Sequence, residues 1–249
     1  MVTRLMPFKV KAFGITDIGL VRGENQDVYA LKENFFVVAD GMGGHRSGDV
    51  AAHEAVKRLL HLFGEQTVSE GLKESADQMA QVLEEVNRSL FQMSRRDVNL
   101  RGMGTTLSCL LFHDEGVVIG HIGDSRIYRY RDHLEQLTHD HTLFQQMYDQ
   151  GRFEEIEKAE GPIRSILTRA VGTEPVVKPS TLTCIPFPGD RFLLCSDGLS
   201  DYVSTEEIAT CLKEIPSCEA CAQALVDRAK EVGGFDNITV IVLNVVDLS

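Results

Sequence analysis

No run of about 18 consecutive apolar residues occurs in the 249-residue chain, and its N-terminus lacks a signal-peptide pattern. A membrane-spanning segment is not expected, and a reducing cytoplasm is the default location. A basic excess is missing too: 25 Lys and Arg stand against 37 Asp and Glu, a formal charge of −12. Nucleic-acid binding relies on clustered Lys and Arg, so a nucleic-acid partner is disfavoured. No segment is of low complexity or rich enough in Pro and Ser to act as a linker, and there is no internal repeat. At 249 residues the chain fits one large domain or two small ones, and a monomer is the default. The six cysteines lack the spacing of a disulfide framework. Cys109 and Cys195 lie in apolar runs, where a thiol behaves as a small buried hydrophobe. Cys218 and Cys221 form the only CxxC, with no second CxxC or His pair beside it, and read as one face of a helix.

What is present is ample core material, with 43% hydrophobic residues. Asn34 to Ala39 (NFFVVA) reads as a short buried strand. Asp49 to Phe63 switches to helical spacing, with Ala52, Ala55, Val56, Leu59, Leu60 and Phe63 on one face. A second helix follows, because Leu72, Ala76, Met79, Leu83, Val86 and Leu90 recur at steps of four and three. Thr105 to Phe112, Gly116 to Ile122, Arg126 to Arg131 and His133 to Leu137 read as one antiparallel meander. Arg191 to Cys195 and Ile238 to Val246 add strands, and Thr205 to Lys213 and Cys218 to Val232 add helices. Strands separated by helix pairs suit two packed sheets with helices outside. Thr142 to Pro175 is polar and the least regular part.

The chemistry is carried by four short motifs: VADGMGG around Asp40, HIGDSR around Asp124, CSDGLSD around Asp197 and GGFDNIT around Asp236. In the first three the Asp follows an apolar run or sits against a small residue and is followed by Gly or Ser, as a strand end presents a carboxylate at a cleft. Carboxylates converging on one place repel each other unless cations neutralise them, and all-oxygen sites suit Mg²⁺ and Mn²⁺. Arg22 is the phosphate-binding candidate, since a guanidinium matches two phosphoryl oxygens and stays charged at any working pH.

Eight segments in order, from VRGENQD (Val21 to Asp27) through GMGTTLS (Gly102 to Ser108) and LTRAVG (Leu167 to Gly172) to GGFDNITVIVL (Gly233 to Leu243), resemble the metal-dependent PP2C (PPM) protein phosphatases in their bacterial form. The resemblance implies a single domain over residues 1–249 with an α+β fold, a four-layer α-β-β-α sandwich of two antiparallel sheets flanked by helix pairs, with a flap over about 142–175. It implies a phosphoserine/phosphothreonine protein phosphatase with two core Mn²⁺ or Mg²⁺ ions and a weaker third. Asp40 would bridge two metals, with Gly41 lending its carbonyl oxygen and Asp197 and Asp236 completing the pair. Asp124 would share the third ion with Asp197, Asp27 would bond water on the metals, and Arg22 would hold phosphate. A bridging hydroxide would attack phosphorus in line. The position after the Asp-Gly pair is Met42, which leaves the general acid open between His45 and water. His139 and His141 read as structural. The family's flap often carries a His-Pro pair and an Asn that AEGPIRS (Ala159 to Ser165) does not have. Partners would be phosphoproteins, including a cognate Ser/Thr kinase. Cys195 lacks the CxxxxxR loop of a cysteine phosphatase. Two rival readings are a partner-binding pseudophosphatase, which the intact Asp set opposes, and a two-metal nuclease, which the negative charge opposes.

Overall fold

A computed structural model describes residues 9–43, 47–65, 71–159 and 163–246. Two antiparallel sheets form its centre. One runs in the order β1 (Lys9–Asp17), β11 (Ile238–Val246), β10 (Arg191–Cys195), β7 (Arg126–Tyr130), β8 (Leu134–Gln136). The other runs β2 (Asp27–Lys32), β3 (Phe35–Met42), β5 (Leu107–His113), β6 (Gly116–Ile122), β9 (Ser180–Cys184), with the short β4 (Gly104–Thr105) pairing with the end of β3. Helices α1 (Ser47–Glu65) and α2 (Leu72–Arg96) cover the second sheet, and α6 (Thr205–Glu214) and α7 (Cys218–Glu231) cover the first. The polar 142–175 stretch holds two short helices, α3 (Leu143–Asp149) and α4 (Phe153–Lys158), and α5 (Asp197–Ser200) follows β10. Among the described residues, no helix is long and apolar enough to cross a membrane.

Side-chain alternation builds the layers. On β3, Phe35, Val37 and Ala39 pack on the α1–α2 side, while Phe36 and Val38 face the other sheet. On β10, Leu193 and Cys195 face α6 and α7, while Phe192 and Leu194 face inward. The inter-sheet layer is a buried apolar cluster, with Phe112 edge-on to both Phe36 and Phe192.

One expectation is corrected. The strands from 105 to 137 are not a single meander: β5 and β6 belong to one sheet, β7 and β8 to the other. The chain crosses between sheets at Gly123 to Ser125, so Asp124 sits at the crossover. Apolar alternation is the same on either side of the break, which is why the pattern alone reads as continuous. Gly123 makes the crossing possible with φ +110, and a Cβ there would lie 2.6 Å from Thr106 Cγ2. Gly123→Ala is expected to cost about 2 kcal/mol or more, read as a lower denaturant midpoint at unchanged m-value. The strands β1, β2 and β9 have no counterpart among the expected elements. β1 is a mostly half-buried edge strand and β9 a mostly exposed one, neither with a clean apolar alternation, and β2 has only a half-buried one. Cys218 and Cys221 do lie on one helix, as free thiols.

Candidate metal and phosphate site

The same alternation that packs the inter-sheet layer turns it polar at one end. Asp40 lies two residues beyond Val38 and so faces as Val38 does. Asp27 sits two residues before Tyr29 on β2, and the register pairs Asp27 directly with Asp40. Like charges opposite one another on paired strands are destabilising. From the other sheet, Ser196 extends the Phe192 and Leu194 face, and Thr239 the Ile241 and Leu243 face. Ser196 Oγ donates to Asp27 Oδ2 at 2.7 Å and accepts from the Thr239 amide at 3.0 Å. Thr106 Oγ1 accepts from the Asp40 amide at 2.9 Å and bonds Ser125 Oγ at 2.7 Å.

Arg22, Asp40, Gly41, Asp124, Asp197 and Asp236 line one cavity of about 1040 Å³. They arrive from a loop after β1, the end of β3, the sheet crossover, the start of α5 and the turn before β11. Asp40 is thus within its strand and Asp197 begins a helix, where the sequence placed them just past strand ends. Gly41 is pressed against the Gly48 carbonyl and leaves no room for a Cβ. His45 lies outside the described residues.

Burial, then the charges of Asp27, Asp197, Asp124 and Asp236, hold the Asp40 carboxyl well above the usual carboxylate range. Burial and then Asp124, Asp236 and Asp201 do the same to Asp197. Asp27 is pushed up to about 6, by burial against the lowering bonds from Ser196 and Thr239. Asp124 is pushed up to about 7, by burial and then Asp140 and Asp201. Asp27 Oδ1 and Asp197 Oδ1 are buried without a hydrogen-bond partner. A set of crowded carboxylates with orphaned oxygens fits hard divalent cations, which take oxygen ligands. Among the described residues, the acidic side chains share a cavity without closing around one point as a ready ligand set.

Arg22 departs from the simplest expectation. Its guanidinium donates to Asp236 Oδ2 at 2.6 Å while remaining 56% exposed, so it neutralises a carboxylate and still faces solvent. Asn237 fixes this arrangement. Its side-chain amide donates to the carbonyls of Ile18 and Glu24, both at 3.0 Å, and its Oδ1 accepts from the Gln26 amide at 2.9 Å. The loop bearing Arg22 is thereby tied to the Asp236 turn.

Several residues escaped sequence reading. Asp201 lines the cavity, its amide donating to the Asp197 carbonyl at 2.8 Å. Its position as the second Asp of CSDGLSD, one helical turn on, was the available signal. Thr106 and Ser125 stand in the GMGTTLS and HIGDSR motifs, which were the available signal, but their contacts with Asp40 and with each other join segments distant in the chain. His139 and His141 lie between β8 and α3. His141 Nδ1 accepts from the Gly123 amide at 3.1 Å, its Nε2 bonds Ser180 Oγ at 2.9 Å, and its ring lies 4.7 Å from His121. Burial pushes His141 down to about 3 and His121 down to about 4. His139 meets Asp149 at 2.7 Å and ties α3 to the loop.

A two-sheet sandwich with a carboxylate-lined cleft at one end of the inter-sheet layer defines a class of metal-dependent hydrolases. The sequence profile of protein phosphatase 2C matches residues 23–231, and the chain belongs to that family of serine/threonine protein phosphatases. It is 37% identical over 235 residues to the serine/threonine phosphatase stp of Listeria monocytogenes, covering 92% of this chain and 93% of that one. The crystal structure of the Mycobacterium tuberculosis phosphatase PstP/Ppp is similar, with 36% identity, a TM-score of 0.84 and coverage of 94% and 98% of the two chains. A structure of the PstP catalytic domain in complex with two manganese ions matches at 36% identity and TM-score 0.84, covering 96% and 99%.

Proposed function

We propose that this protein hydrolyses phosphoserine and phosphothreonine in proteins at a centre of two Mn²⁺ or Mg²⁺ ions, reversing the action of a Ser/Thr kinase. The observation that carries the reading is the arrival of Asp40, Asp124, Asp197 and Asp236 from four distant segments in one cavity beside Arg22. Asp40, Asp197 and Asp236, with the Gly41 carbonyl, would hold the two core ions, and Asp124, Asp197 and Asp201 a weaker third. Bound divalent cations supply Lewis-acid stabilisation of phosphoryl charge and acidify water.

The chain's own groups do the rest. Asp27, anchored by Ser196, stays behind Asp40 and fixes the carboxylate layer from the rear. Thr106 holds the Asp40 backbone, so the side chain's direction is set before substrate arrives. Arg22 is exposed enough to turn two N–H groups towards phosphoryl oxygens, and its charge opposes the negative charge there. The pseudophosphatase alternative has no support in the site, where each expected core carboxylate is present.

Turnover of a phosphothreonine peptide is expected with Mn²⁺, to stop with chelator, and to have no counterpart on a DNA substrate. Cleavage of DNA, or peptide hydrolysis indifferent to chelator, would overturn the reading. Arg22→Ala should raise KM for phosphopeptide about tenfold with a smaller loss in kcat. Because Arg22 competes for Asp236, calorimetry should show Mn²⁺ binding undiminished in that variant. Lost metal binding would make Arg22 a scaffold residue instead.

A further inference from the structure

Beside Arg22 the rim of the cleft turns apolar. Leu20 and Val21 are each 64% exposed, Phe235 is 49% exposed and Tyr202 is 40% exposed. They come from the loop after β1, the turn before β11 and the turn after α5. Single exposed apolar side chains are ordinary on a protein surface, whereas a contiguous group at a functional cleft marks an interaction site. Here two contacts gather the segments that bear them. The Leu20 amide donates to the Gly234 carbonyl at 2.8 Å, and the Leu20 side chain lies against Gly234. The Tyr202 and Phe235 rings are 5.3 Å apart between centroids, inclined at 39°. Gly233 and Gly234 have φ +136 and +54, and the Phe235 ring lies over Gly233, where a Cβ would collide with it. The turn thus needs two glycines, and its result is an aromatic ring laid outward against solvent.

Three of these four side chains are also next in sequence to a residue that lines the cleft. Val21 precedes Arg22, Phe235 precedes Asp236, and Tyr202 follows Asp201 and itself lines the cavity. A peptide whose phosphoryl group meets Arg22 advances about 3.3 Å per residue if extended, so its near neighbours pass over this wall. An acidic neighbour there would face Asp236 and Asp201, while an apolar one would bury surface against Leu20, Val21, Tyr202 and Phe235.

Resting on the phosphatase reading above, we propose that this wall is a substrate subsite: it takes a large apolar side chain within two residues of the phosphorylated residue. The substrate class would then be phosphoproteins modified beside Leu, Ile, Met or Phe.

The test compares three substrates with Mn²⁺ present: a phosphothreonine peptide flanked by Leu, the same peptide flanked by Ser, and a capped phosphothreonine without neighbours. The wild type should favour the Leu-flanked peptide in kcat/KM by about tenfold, the scale of one apolar side chain in a pocket. Leu20→Ser and Phe235→Ser should each erode that preference, and the double variant should abolish it. Their kcat/KM for capped phosphothreonine should stay within about twofold of wild type. Equal wild-type rates on the two peptides would overturn the subsite, as would a preference that survives the double variant. Should a serine variant lose the capped substrate as well, Leu20→Val and Phe235→Leu provide the graded readout, and a preference unaltered in them overturns the subsite. A concentration-dependent dimer that the double variant abolishes, with peptide preference unchanged, would assign the wall to a second copy of the chain and overturn it too. If the wild type hydrolysed none of the three substrates, the phosphatase reading itself would fail, a result distinct from loss of preference.

Discussion

Asp40→Asn is expected to lower turnover by about 10³-fold or more if Asp40 holds metal as proposed, the several kcal/mol that such a ligand's loss would remove from transition-state stabilisation. The same substitution should raise the melting temperature of the metal-free protein. Asp40 is paired with Asp27 across β2 and β3, and burial together with four neighbouring carboxylates opposes its charge. A neutral amide of the same shape relieves that repulsion, a gain on the order of 1 kcal/mol, within the range of stabilising changes at sites built for activity rather than stability. Steady-state kinetics with Mn²⁺ and thermal melts in chelator measure the two halves independently. A variant that is inactive and also less stable without metal would show that Asp40 serves packing, and the electrostatic account of the site would fall.

Saturating Mn²⁺ is expected to stabilise the wild type by about 2.7 kcal/mol at one hundred times Kd, or roughly 5–10 °C for a chain of this size. That increment should shrink as pH falls from 8 to 5. Asp124 at about 7 and Asp27 at about 6 have folded values raised above their unfolded ones. Their contribution to the metal-free fold is complete below about pH 4 and is lost as pH rises through 6 and 7. Cations act where the loss is largest and must displace protons below it. His121 and His141 have the opposite sign. Their folded values of about 4 and 3 lie below the ordinary imidazole value, so the stability they allow is lost as pH falls from about 6.5. Melts across this range should show the Mn²⁺-bound protein falling steeply below pH 6.5 and the chelated protein falling less. A metal increment independent of pH would remove the raised carboxylates from the binding site.

How far the residues alone could be read depended on whether a property is local. The stripe from Leu72 to Leu90 predicts α2 because a helix repeats its environment every few residues, and the same holds for α1, α6 and α7. β3, β5 and β10 were legible because both their faces are buried, which yields unbroken apolar runs. The carboxylates of Asp40, Asp124, Asp197 and Asp236 were legible because each stands in a short motif with its own small neighbours. β1 and β9 were not, since neither carries an apolar alternation that demands a partner, β1 being mostly half-buried and β9 mostly exposed. Nor could alternation tell that β6 and β7 part company at Gly123, because strand pairing is decided by sequence-distant partners, β9 for one and β10 for the other. That parting carries Asp124 to the cleft. The ion pair of Arg22 with Asp236 and the contact of Tyr202 with Phe235 join residues far apart in the chain, and the energies that select them exist only once both sheets have packed. The sequence by itself therefore determined the helices, the buried strands and the acidic chemistry. The tertiary structure decided which carboxylates crowd one another, what neutralises them and which apolar side chains border the cleft, because repulsion, pairing and burial depend on distances that only the packed fold defines.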